Sequence, residues 1–363
     1  MPDNIHETVL HNWHVEHGGK MVDFAGWDMP VQYQAGAIQE HLATRRRAGI
    51  FDVSHMGRFE IAGPGAETFL MRALSNNARA LKVGEAQYTF IPNEAGGAVD
   101  DAYLYKLAPE RFLLVVNASN RDKDWVWLDR LKDGADCTLR DVGDDLAMVS
   151  LQGPEASRVL EKVIAAAALP ENKRNRLSVA RAGGYDVIVS RTGYTGEAVC
   201  FELFPPTRHA VAFWQALIDA GAEPAGLGAR DSLRLEAGLP LFGHELGEDP
   251  DGNDIPIFAN AVAVAGVRAP DHLQPDCVGQ GALNLQRAEF AAIRRHELTL
   301  PVEDRVLKRL VQPIAVFNSK RPLRAGYTVL QDSEPVGVVT SGTSVPSTGF
   351  AGAGLAATPA DDH

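Results

Sequence analysis

The chain has 363 residues, of which 45% are hydrophobic and 23% charged, and its formal net charge is −12. A single core stops growing at roughly 250–300 residues, so two or more domains are expected. The composition excludes a disordered chain, the negative charge argues against a general phosphate-backbone binder, and no run approaches the ~20 apolar residues of a membrane span.

Three well-separated cysteines, Cys137, Cys200 and Cys277, form no disulfide framework or CxxC pair. They fit a reducing compartment. The first residues have neither a basic start nor an apolar stretch, so a secretory signal is not expected, and the reading is cytoplasmic.

In chain order, residues 35–48 read as a helix with Ile38, Leu42 and Ala48 on one side and Arg45, Arg46 and Arg47 toward water. This basic run and Lys308-Arg309 are either solvated surface or a local patch for an acidic partner. Gly57 to Ala62 reads as a strand, followed by a helix opening near Pro64. Gln87–Pro92, Ala102–Lys106 and Arg111–Asn117 read as strands parted by turns at Gly96-Gly97 and Pro109-Glu110, and 119–132 as a helix. Ala147–Gln152, Tyr185–Arg191 and Val199–Phe204 read as strands. Pro154–Ala168, 207–220 and Leu227–Ala237 read as helices. Strands and helices without regular βαβ alternation predict an α+β fold. Residues 244–256 are an acidic loop. Leu310–Phe317, Gly326–Leu330 and Val336–Thr340 predict a small all-β domain, with a boundary near 275–295.

Four segments carry residues suited to chemistry. After Gly96-Gly97, a strand places Asp101, Tyr103 and Tyr105 on one face, and Asp100 on the other with Ala102 and Leu104. A carboxylate beside aromatic rings is disfavoured as the anion, which suits proton transfer; alternatively both acids cap the turn. In Val199–Phe204, Glu202 is the one charge on a strand apolar on both sides. Such a carboxylate needs a partner, either a neighbouring arginine or the N–C–N edge of a bound heterocycle. Gly193 and Gly196 flank Tyr194 and allow a sharp turn or a close approach. Arg230 and Arg234 share a helix face, either as a charged surface or as a guanidinium holding a carboxylate of pocket or ligand. His55, beside Met56, has no second histidine at ligand spacing, so no metal site is expected. Trp27, Met29, Tyr33 and Tyr88 serve either as core or as walls for a flat ring. No GxGxxG, GxxxxGK[ST], HExxH or GxSxG motif is present.

Together these segments resemble one family. The matching strings are residues 17–33 (His17-Gly18-Gly19-Lys20 through Pro30-Val31-Gln32-Tyr33), Phe51-Asp52-Val53-Ser54-His55-Met56, and Asn93 through Asp101. Further on come Val115-Val116-Asn117-Ala118-Ser119-Asn120, Leu151-Gln152-Gly153-Pro154, Thr192-Gly193-Tyr194-Thr195-Gly196-Glu197, Gly226 through Gly238, and Gly337 through Thr343. In this order they resemble the T-protein aminomethyltransferases of the glycine cleavage system. The resemblance implies two intertwined α+β folate-binding domains around a central channel (1–275) and a shortened C-terminal β-barrel (276–363). It implies transfer of a methylene from the aminomethyl-loaded dihydrolipoyl arm of a lipoylated H-protein to tetrahydrofolate as co-substrate, with ammonia released. It makes Asp101 the catalytic acid that positions folate and manages a proton. It makes Tyr194 and Glu202 holders of the pterin and Arg230 a support for the carboxylates, with Met56, Tyr88 and Asn117 at the pocket. Nucleic acid, membrane and metal have no part in it. The segment Ala198-Val199-Cys200-Phe201 departs from the family pattern and could turn Glu202 to the other face. Alternative expectations are a folate-dependent demethylase of a small methylated compound, or a catalytically degenerate folate-binding paralogue.

Overall fold

The computed structural model describes residues 5–269, 276–316, 321–346, 350–351 and 358–359. Two sheets dominate. One has six strands, in the order Leu177–Ala182, Tyr185–Ser190, Cys200–Phe204, Val149–Gln152, Gly49–Asp52 and Glu223–Pro224; all neighbours are antiparallel except the last pair. The other has five, in the order Glu85–Pro92, Ala98–Ala108, Arg111–Val116, Gly57–Ala62 and Thr138–Asp141, all antiparallel.

Alternation along the strands places these sheets face to face. In Arg111–Val116, Phe112, Leu114 and Val116 pack outward with Phe69, Leu70 and Leu128 of the helices Ala66–Ala73 and Arg121–Leu131. Leu113 and Val115 instead join Phe51, Tyr105 and Phe204 in a cluster between the sheets. Likewise Phe201 and Leu203 pack outward with Val159, Phe213 and Trp214. Both sheets are thus buried on both sides, which makes the inner layer the place where a polar side chain stands out. The helix Leu227–Glu236 reaches that layer with Ala229 and Leu233. Residues 17–33 form a hairpin, Lys20–Phe24 with Trp27–Gln32.

Four expectations need correction. The helix Ala37–Arg46 does not bury Ile38, which is 58% exposed; it buries Glu40, His41, Ala43 and Thr44. Hydrogen bonds choose its face: Glu40 accepts from the backbone N–H groups of Tyr33 and Gly226, and His41 Nδ1 lies 2.8 Å from Ser232 Oγ. Nor do all three arginines point to water. Arg46 and Arg47 are exposed, but Arg45 turns inward to Glu197 and Glu236 at 2.5 and 2.6 Å. The expected helix Pro154–Ala168 is regular only over Ala156–Leu160. Turns then bring Ile164 and Leu169 onto the outer core, overriding alanine's helix propensity.

Residues Leu310–Val316 form no strand; Val311 donates instead to the carbonyl of Ala259. Phe317 lies outside the described residues. Thr328–Gln331 and Glu334–Val338 pair as a hairpin, and Phe350–Ala351 pairs with Thr358–Pro359; no closed barrel forms among the described residues. The helix Gln280–Arg294 was not anticipated. It packs Leu283 and Phe290 beside Phe90 and Phe258 of the two-sheet body. No helix among the described residues is long and apolar enough to cross a membrane.

Candidate active site

Strand parity sets the line of the site. Asp101, Tyr103 and Tyr105 project from Ala98–Ala108 into the layer between the sheets, while Ala102 and Leu104 pack outward. The Tyr88 hydroxyl donates to Asp101 Oδ2 at 3.0 Å. The rings of Tyr88 and Tyr103 are 6.2 Å apart, and those of Tyr103 and Tyr105 are 5.6 Å apart. The Tyr105 hydroxyl then donates to Glu202 Oε2 at 2.7 Å. One row of three tyrosines therefore joins the two singled-out carboxylates across a single inner face.

At one end, Asp101 accepts from Tyr88 and, at 2.8 Å, from Asn117 Nδ2. Burial pushes its carboxyl up to about 7, and the neighbouring Asp100 charge pushes the same way; the donors Tyr88 and Asn117 oppose them. Asp100 faces away and is fully buried. It accepts from Asn117 N at 2.8 Å, Asn117 Nδ2 at 2.8 Å and Asn120 Nδ2 at 2.6 Å. Asn117 thus clamps both acids. The turn-capping reading is excluded, because neither carboxylate bonds back to Gly96 or Gly97.

At the other end, Glu202 remains on the inner face with Phe204, so the altered Ala198–Phe201 segment has not flipped it. Its cross-strand neighbours are Ser150 and Ser190, two small hydroxyl residues. Thr192 also donates to Oε2, and Oε1 accepts from no side chain among the described residues. The helix Leu227–Glu236 brings in Arg230, whose guanidinium lies 4.9 Å from the Tyr194 ring centre. Arg230 Nη1 is buried without a hydrogen-bond partner among the described residues. Burial lowers its pKa while the Glu202 charge raises it. A buried guanidinium with an unused N–H suits a planar polar ligand, since leaving it unmatched is costly, and the unused Glu202 oxygen can accept from the same ligand.

Tyr194 donates its hydroxyl to the Pro240 carbonyl. The flanking glycines serve the backbone. A Cβ at Gly193 would lie 2.8 Å from Cys200 Cβ, and Gly196 has φ +81°. Met56 is half-buried against the cluster that includes Tyr103 and Tyr105. His55 is buried, edge-on to Phe24, and held down at about 4 by burial first. Arg234 does not join Arg230; it pairs with Asp231 at 2.9 Å and Glu245 at 3.0 Å. No cluster of metal-ligating side chains occurs among the described residues.

Sequence reasoning missed Thr192, Asn120 and Asp124. The last two carry a usable signal, because both are polar on the inward side of a helix start where apolar residues are expected.

The GCVT N-terminal domain family matches residues 10–256. An aminomethyltransferase from Deinococcus deserti is 41% identical over 342 residues, 94% of this chain and 86% of its own. One from Rubrobacter xylanophilus is 41% identical over 98% of this chain and 87% of its own. One from Thermus thermophilus is 49% identical over 67% of this chain and 69% of its own. The crystal structure of the glycine cleavage system aminomethyltransferase T from Bartonella henselae superposes with a TM-score of 0.76 at 33% identity, covering 94% of this chain and 86% of that one. The chain therefore belongs to the aminomethyltransferase family of the glycine cleavage system.

Proposed function

We propose that the chain moves the methylene carbon of an aminomethyl group from the dihydrolipoyl arm of H-protein to tetrahydrofolate, releasing ammonia, 5,10-methylenetetrahydrofolate and the reduced arm. The observation that carries this is the single tyrosine-lined face with a carboxylate at each end, Glu202 buried and Asp101 half-buried. Tetrahydrofolate supplies the two nitrogens that capture the carbon.

The protein's own groups have separate tasks. Glu202, with Oε2 fixed by Tyr105 and Thr192, presents Oε1 to the N–H edge of the pterin. Arg230 and Tyr194 hold the far side as a stacked pair. Met56 packs beside Tyr103 and Tyr105 between the ends, and Tyr88 and Asn117 hold Asp101 at its end. Asp101 receives two hydrogen bonds, which suits its carboxylate form, and its raised pKa makes that carboxylate basic enough to take an N–H proton near neutrality. Bringing the loaded arm to Asp101 beside the bound folate supplies the proximity such a transfer requires. In this reading 1–275 carries the site, 276–363 adds the helix Gln280–Arg294 to that body and then a C-terminal β-domain of barrel type, and the enzyme works in the cytoplasm.

The test is to mix aminomethyl-loaded H-protein, tetrahydrofolate and the enzyme, and to follow ammonia. Stoichiometric ammonia with 5,10-methylenetetrahydrofolate is expected. A folate-dependent demethylase would release none, and a folate-binding paralogue without activity would form neither product.

A further inference from the structure

Behind the reacting face lies a carboxyl group that this chemistry does not use. Asp124 sits in the first turn of Arg121–Leu131 and is fully buried. No hydrogen-bond donor among the described residues reaches either of its carboxyl oxygens. What faces it is the Asp100 carboxyl, within hydrogen-bonding reach. Two carboxylates cannot hydrogen-bond to each other, since an ionised carboxylate only accepts. The contact exists only if one of the pair keeps a proton. Asp100 already accepts from Asn117 N, Asn117 Nδ2 and Asn120 Nδ2, so Asp100 is the anion and Asp124 the donor.

We propose that Asp124 is a positioning residue, a neutral carboxylic acid that donates its proton to Asp100, holds Asp100 ionised, and through that charge and the Asn117 clamp sets the proton affinity of Asp101. The proposal rests on the role given to Asp101 above.

The electrostatics agree with the geometry. Burial raises Asp124 to about 11, with Asp100 next in effect, while Lys123 opposes and Asp101 adds to the rise. Asp100 is raised by burial and drawn down by Asp124, Asn117 and Asn120. Asp101 meets Asp100 from its own strand, Tyr88 from Glu85–Pro92 and Asn117 from beyond Arg111–Val116. It also meets Tyr194 from the loop before Cys200–Phe204. Removing the Asp124 donor makes Asp100 easier to protonate. The charge pressing on Asp101 is then lost, and Asp101 titrates at lower pH. An amide at 124 keeps a donor and preserves the arrangement.

Two measurements decide the matter. Infrared difference spectra of the parent against Asp124→Asn, near pH 9, should show the carbonyl band of a buried neutral carboxylic acid that the variant lacks; its absence from the difference overturns the shared proton. The pH–rate profile of methylene transfer should keep its inflection in Asp124→Asn and move it down by about one unit or more in Asp124→Leu, the scale on which neighbouring carboxylates act. An unmoved inflection in Asp124→Leu overturns the positioning role, and Asp124→Ala makes the same comparison if the leucine variant does not fold. The infrared band is read without turnover, so failure of the proposed activity and failure of this proton pair are told apart.

Discussion

The two ends of the inner face each hold a carboxylate, Glu202 buried and Asp101 half-buried, and surround it differently. Glu202 meets two hydroxyl donors and an arginine that has a spare N–H. Asp101 meets two donors, a second carboxylate on its own strand and a third behind that. The first set compensates a negative charge and leaves polar atoms free, which suits holding a ligand. The second crowds acids together until one stops behaving like an ordinary carboxylate, which is a proton-handling arrangement. Burial alone decides neither outcome; the neighbours do.

If this division is right, substitutions at the two ends separate rate from affinity. The largest effect belongs to Asp101→Asn. Its turnover in methylene transfer should fall by roughly 10²–10⁴-fold, while its affinity for tetrahydrofolate stays within a few-fold of the parent. Equal losses in both would erase the distinction. Arg230→Met should act the other way. It should weaken tetrahydrofolate binding by roughly ten- to a hundredfold, the worth of a charge-assisted hydrogen bond, with a smaller change in turnover at saturation.

The pH profile sharpens the Asp101 end. Its carboxyl is held up to about 7, so the reactive carboxylate is lost below that value. Turnover should rise with pH through about 7 and drop by about tenfold for each unit below it. That limb should vanish in Asp101→Asn. The smallest effect is expected from Tyr105→Phe. It deletes one of two hydroxyl donors to Glu202 and should cost about 1 kcal/mol, roughly fivefold in the dissociation constant read by calorimetry.

Much of this division was legible in the chain. The two-residue period placed Asp101 with Tyr103 and Tyr105, and Glu202 stood out as the one charge on its strand; both prove to lie in the same inner layer. Parity names a face but not the partner across it. The Tyr105–Glu202 bond joins residues 97 apart, and the Arg45–Glu197 pair joins residues 152 apart. Such pairings depend on how the sheets stack, which no local pattern encodes. The helix Ala37–Arg46 was misread for a related reason. Its inward face is selected by Glu40 and His41 hydrogen bonds, so the usual apolar stripe is not its signature. Asp124 shares the buried face of Leu128 and Leu131, but that signal is outweighed because an acid in the first turn of a helix is ordinarily a favourable solvated residue. Only the third dimension shows it pressed against Asp100.

Beyond residue 295 the reading was weaker. Glycine and proline marked breaks between short apolar runs, and one expected pair of strands formed as Thr328–Gln331 with Glu334–Val338. The Leu310–Val316 run instead lies along the body, bonded at Val311 to Ala259. An apolar run of that length fits either a strand or a packed connection.

The most direct measurement is calorimetric titration of tetrahydrofolate into the parent protein and into Glu202→Ala. Saturable binding by the parent, weakened at least tenfold by the substitution, is the result this account predicts. Binding that is undiminished in Glu202→Ala, or no binding by the parent at all, would contradict it.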